Sequence, residues 1–170
     1  MASGLKITGV KRFEESLSEL NKKMRMAGYR ITLEGAQVII KNSRKQFTTV
    51  AISTKTGEER VIAPGSKLQK GEKLSRYGRH VEGSQPHIRS GYLARSISFD
   101  GPREVGYGRW ETKTGPKAAY GRRIELGFTG RDSLGRNYDQ PPFPYMRPGF
   151  EDSKPEIEAI AQREWAKAVA

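Results

Sequence analysis

The chain contains no cysteine. Disulfide frameworks and thiolate metal sites are thereby excluded. No apolar run approaches the roughly 20 residues that span a bilayer. The N-terminus, Met1-Ala2-Ser3-Gly4-Leu5-Lys6, has no signal-peptide architecture. The expectation is a soluble protein made inside the cell, with no membrane partner. Histidine is nearly absent: His80 and His87 are the only two. Loop histidines without a paired carboxylate are ordinarily solvated rather than metal-bound. There is no Gly-x-Ser-x-Gly elbow, no Walker loop and no His-Glu-x-x-His. Gly106-Tyr107-Gly108 lacks the third glycine and the opening helix of a dinucleotide fingerprint. No catalytic set, metal site or cofactor is expected, and the chain does not read as an enzyme.

Apolar residues and acidic charge are also short. Hydrophobic residues make up 35% of the chain, against 19 glycines and nine prolines. Much of the length must therefore be loop or solvated surface. The 170 residues suit a single domain over 1–170. Lysine and arginine exceed aspartate and glutamate to give a net charge of +12. Residues 41–95 hold twelve basic and four acidic groups, net +8. Such a segment can neutralise phosphates, dock on an acidic protein surface, or simply keep a loop soluble.

Phe13, Leu17, Leu20 and Met24 recur at spacings of four, three and four. They predict an amphipathic helix over 11–26. Residues 29–48 read as a second helix, or a continuation across Gly28, although Val38-Ile39-Ile40 also suits a strand. Ala51 to Ile62 reads as a hairpin with a Thr-Gly turn. From Ser66 to Gln85 the chain is basic and poor in apolar groups, so we expect a loop or arm ordered only against a partner. A short helix through Tyr92-Leu93-Ala94 leads into a strand over 96–99. Asp100-Gly101-Pro102 reads as a turn, and Glu104 to Trp110 as the next strand. Ala118 to Phe128 is a third strand, or a short helix and then a strand, and 127–133 is loop. The last helix begins near Ser153, with Ser153 as its N-cap, Pro155 early and Glu156 completing a capping box.

Aromatic and basic residues interleave at Arg76-Tyr77, Tyr107 to Trp110 and Tyr120 to Arg123. The pattern suits stacking on single-stranded bases or a protein interface, and we favour the interface. Phe143 to Phe150 is proline-rich and so reads as a rigid apolar strap leading into the last helix.

Four pieces, in order, resemble the gene-product-ten-like family of tailed phages, the neck, head–tail joining or tail-completion proteins. They are Pro86, Ser90, Gly91, Leu93, Ser96 and Ile97; Val105 and Gly106; Tyr120, Ile124, Glu125 and Gly127; and Phe143, Met146, Arg147, Pro148 and Phe150. The insertion at about 49–85 is longer than the family's usual link. The resemblance implies an α+β subunit, in which a small antiparallel β-sheet packs against a long α-helix and a C-terminal helix. The long basic arm is added to that frame. It further implies a homo-oligomeric ring, six-fold, at the head–tail junction of a long-tailed phage virion, assembled in the host cytoplasm. Its partners would be head-completion or connector proteins and the tail tube or tail terminator. DNA would pass through the lumen without sequence-specific binding. On this reading Tyr120, Arg122, Arg123 and Glu125 make subunit contacts. Lys67, Lys70, Lys73, Arg76 and Arg79 form a partner-docking arm, and Leu93, Ile97, Phe143, Met146 and Phe150 form the core. The alternatives are a tail terminator protein or a basic nucleic-acid-binding module.

Overall fold

The computed structural model describes residues 9–62, 67–74, 86 and 90–170. The architecture is α+β: a long N-terminal helix, short antiparallel sheets and a C-terminal helix. Helix α1 runs unbroken over Val10–Lys45. Its 36 residues span about 54 Å at ~1.5 Å per residue. Of the two readings, a second helix or a continuation across Gly28, it is the continuation that forms, and Val38-Ile39-Ile40 is helical. Gly28 sits inside the helix for a packing reason. A Cβ there would lie 2.6 Å from Cδ1 of Trp110, whose indole rests on the bare backbone.

Strands β1 (Thr49–Ser53), β2 (Glu59–Ile62) and β3 (Glu72–Leu74) form an antiparallel sheet with β1 central. The β1–β2 hairpin is the one expected, turning with Gly57 at φ 74°. Strand β3 corrects the reading of residues 66–85 as loop, because part of that segment pairs with β1. A two-pronged contact holds it there. Arg60 donates through Nε and Nη2 to the Glu72 carboxylate, at 3.0 and 2.8 Å.

Helix α2 (Tyr92–Ser96) feeds β4 (Ile97–Gly106), which pairs antiparallel with β5 (Arg109–Pro116). The turn lies at Tyr107-Gly108, not at Asp100-Gly101-Pro102. Asp100 to Arg103 is instead a register shift within one long strand. Gly101, at φ 107°, absorbs the extra residue. Helix α3 (Gly121–Leu126) is followed by the hairpin β6 (Phe128–Arg131) and β7 (Asn137–Gln140). This hairpin replaces the expected loop at 127–133. Its turn is closed by Asp132, whose Oδ1 accepts from the Leu134 and Arg136 amides at 2.9 and 3.0 Å. Arg136 holds that carboxyl below its ordinary pKa.

Residues 141–144 carry no regular secondary structure and lead into helix α4 (Met146–Glu151), then α5 (Lys154–Val169). Ser153 does not cap α5. The backbone at Ser153 is already helical, and its hydroxyl turns back to donate to the Gly149 carbonyl at 2.6 Å. It also accepts from Asn42 Nδ2 at 3.1 Å, which ties α5 to α1. Helix α5 lies antiparallel along the C-terminal half of α1. Ile157 sits over Gly35, and Arg163 pairs with Glu34. Glu164 is buried and takes hydrogen bonds from Lys167 and Arg163 at 2.8 and 3.0 Å. These partners, Lys167 first, pull its pKa down to about 2.

The core gathers Phe47, Ile97 and Tyr145, with Ile40, Leu93, Ala94, Ile124 and Met146 packed around them. Phe143 is 2% exposed. Four of the five expected core residues are thus at or against the core. Phe150 is not, being 45% exposed with the Lys154 ammonium 5.5 Å from its ring centre. The cause is Gly149, which presses α4 against α1. A Cβ there would sit 2.5 Å from the Ser43 Cα. The next residue round the helix, Phe150, faces away.

Candidate functional site

Two apolar surfaces and one polar turn are the features from which function must be read. The turn is built on Glu125. Its Oε2 accepts from the Tyr145 and Met146 amides at 2.7 and 2.9 Å, and Oε1 from the Arg147 amide at 3.0 Å. Helix α4 begins after Tyr145, which has no side chain able to cap it. Its first amides need acceptors, and a carboxylate at a helix N-terminus is favoured by the dipole. Glu125 supplies that carboxylate from α3. Glu125, expected at a subunit contact, here holds the chain's own strap with its carboxylate. The clue in the sequence was a helix start at 145–146 with no Ser, Thr, Asp or Asn to cap it.

Tyr145 was also missed. It is fully buried and donates its hydroxyl to the Gly121 carbonyl at 3.1 Å. Burial, and then the Glu125 charge, push its pKa above the ordinary phenol value. The sequence reading put 143, 146 and 150 in the core, whereas burial within the strap alternates, at 143 and 145. Period two was the signal.

The first apolar surface is a cleft of about 570 Å³ between α2, α3 and β6. Tyr92, Leu93, Tyr120, Arg123, Ile124 and Phe128 line it. Tyr92 and Tyr120 are half exposed, with ring centres 6.4 Å apart. The Arg123 guanidinium lies 4.4 Å over the Phe128 ring. Arg122 is exposed, and no carboxylate among the described residues pairs with either arginine. Two of the expected interface residues, Tyr120 and Arg123, thus come together at the cleft.

The second surface is the N-terminal half of α1. Val10, Phe13, Leu17, Leu20 and Met24 are 37 to 64% exposed. The β4–β5 hairpin reaches this half through Tyr107 on Asn21 and Glu104 on Arg25. None of the described residues covers the apolar stripe fully.

Lys67, Lys70 and Lys73 are exposed. Arg76, Arg79, His80 and His87 lie outside the described residues. Among the described residues no three His, Asp or Glu side chains cluster as a metal site. No helix there is long and apolar enough to cross a membrane. The chain matches no family model, no curated protein and no solved structure.

Proposed function

We propose that this chain is a structural subunit of the head–tail junction of a long-tailed bacteriophage. Copies form a six-fold ring around the DNA channel, joining connector proteins of the head to the tail tube or tail terminator. The observation that carries the reading is the apolar stripe on α1. Five large side chains stand in water on a helix whose other half is fully employed. Contiguous apolar surface of this kind marks an interaction site. The order of long helix, sheets, strap and terminal helix also agrees with the order the resemblance implies. On this reading Lys67, Lys70 and Lys73 meet an acidic protein ring rather than DNA. DNA must slide through the junction, and an array of phosphate contacts would retard it. The test is electron microscopy of phage grown without the protein. Filled heads and finished tails should be present but separate. Joined particles in its absence would refute the reading.

A further inference from the structure

The exposed stripe has the form of a helix seam. Val10, Phe13, Leu17, Leu20 and Met24 follow at spacings of three, four, three and four, the a and d positions of a coiled coil. A helix that packs on a sheet or a broad core carries a wider apolar face. The cover that fits so narrow a seam is another helix. The rest of α1 shows which way that helix runs. Carried on at helical spacing, the line passes Gly28, then Gly35, Val38 and Asn42. Trp110 lies over Gly28, and α5 lies antiparallel over the stretch from Gly35 to Asn42. Because α1 is unbroken, a second α1 laid parallel on the stripe would run into this cover. Laid antiparallel, it leaves each covered half beyond the other's Val10 and continues the antiparallel packing that α5 begins.

In that direction the stripe matches itself. Leu17 meets Leu20 of the second copy, Phe13 meets its Met24, and Val10 meets its small Ala27. The seam from Val10 to Met24 is about 21 Å long at ~1.5 Å per residue. Glu14 and Asn21 flank it on one side, Ser16 and Lys23 on the other, while Glu15 and Glu19 lie on the far face. Glu14 then faces Asn21 across the seam, and Ser16 faces Lys23, so no like charges meet. Tyr107, 82% exposed, adds to the contact, because its bond to Asn21 stands it beside the seam where the second helix passes.

We propose that two copies of this chain pair antiparallel through the N-terminal halves of α1, with Leu17 of each against Leu20 of the other. The contact is isologous: one patch serves both copies, so it closes at two. Five seam side chains per copy fall short of the roughly 20–30 residues a side that a stable interface uses. The pair is therefore weak, parting on dilution and yielding the stripe to a tighter partner. The inference goes beyond the junction reading and does not rest on it. It describes the free protein, and the contacts around a ring lie elsewhere.

Analytical ultracentrifugation of the full chain tests it. With rising concentration the mass should climb from one chain toward two and stop there. Leu17→Asp and Phe13→Asp, each checked for wild-type circular dichroism, should stay at one chain throughout. Cysteines read the direction, because the chain has none of its own. Phe13→Cys and Met24→Cys chains are mixed at concentrations that pair the wild type. Mild oxidation should give mixed dimers linked 13 to 24, and Phe13→Cys alone should give none. A wild type that stays at one chain up to about 1 mM would overturn the proposal. So would a mass that passes two chains, or an association that both Asp variants leave unchanged. Links of 13 to 13 in place of 13 to 24 would overturn it too, because they report parallel helices. Whether heads and tails join without the protein tests the junction reading and leaves this result untouched.

Discussion

The two halves of α1 carry one apolar stripe and meet opposite fates. In the C-terminal half, Gly35, Val38 and Asn42 continue the line of Phe13, Leu17, Leu20 and Met24 at helical spacing. There the stripe is covered: Ile157 lies on Gly35, Val38 is buried, and Asn42 holds Ser153. In the N-terminal half the same line lies open to water. A helix records in its sequence which face is apolar. It does not record whether the cover belongs to the same chain.

The sharpest test of that contrast uses one substitution in each half. Val38→Asp buries a carboxylate against α5, where the neighbouring Lys41 and Arg163 are already paired with Glu156 and Glu34. An uncompensated buried charge costs at least about 3 kcal/mol, a large share of a small domain's stability. We expect loss of the cooperative melt in circular dichroism. A folded Val38→Asp protein with a near-normal melting temperature would break the comparison.

Next in size is Glu125→Ala. As an interface residue, Glu125 could be removed without harm to the fold. As the cap of α4 it cannot. Three amides lose a charged acceptor, and Tyr145 and Met146 lose the anchor that seats them by Phe47. Loss of a helix cap with charged hydrogen bonds costs about 2 kcal/mol. Denaturant melts should show that loss with m unchanged. An unaltered midpoint would return Glu125 to the interface.

These cases mark how far the fold was legible. Long helix, β1–β2 hairpin, α2 into β4, and terminal helix all follow from periodicity and turn residues. Ile97 and Phe143 were found as core because each sits in a locally regular apolar pattern. Phe47 was not, since it lies between α1 and β1, where neither period applies, and Tyr145 was not, because its alternation with Phe143 is too short to stand out. The β6–β7 hairpin was hidden because a side chain, Asp132, closes its turn. The role of Glu125 was hidden because its partners lie about twenty residues onward. Of the candidate site, the stripe was visible as a helix face, and Tyr120 and Arg123 as an aromatic–basic pair. The cleft they share was not, because it is made by packing α2 against α3 and β6.

A third prediction concerns the seal over the covered half. Glu164 binds α5 to Arg30 of α1 at 3.6 Å, besides its bonds to Arg163 and Lys167. Its pKa in the folded protein is about 2, below the 4.5 of the free group. A depressed carboxylate stabilises the fold fully above its unfolded pKa and loses that contribution as pH falls toward the folded one. The contribution of Glu164 should therefore fade between about pH 4.5 and pH 2. In Glu164→Gln the melting temperature should be lower at neutral pH and fall less steeply through that window. Identical slopes for the two proteins would remove Glu164 from the seal.

The smallest expected effect on the fold lies in the open half. Leu17→Asp exchanges a half-exposed leucine for a charge that water can solvate. Exposed substitutions of this kind change stability by no more than about 0.5 kcal/mol. Leu17 and Val38 stand on one helix face, so local helix propensity acts similarly on both and only the cover differs. The melt of Leu17→Asp should overlay the wild type, while head–tail joining is lost. A large fall in melting temperature would mean that Leu17 already has a partner within its own chain, and the two halves of α1 would no longer differ.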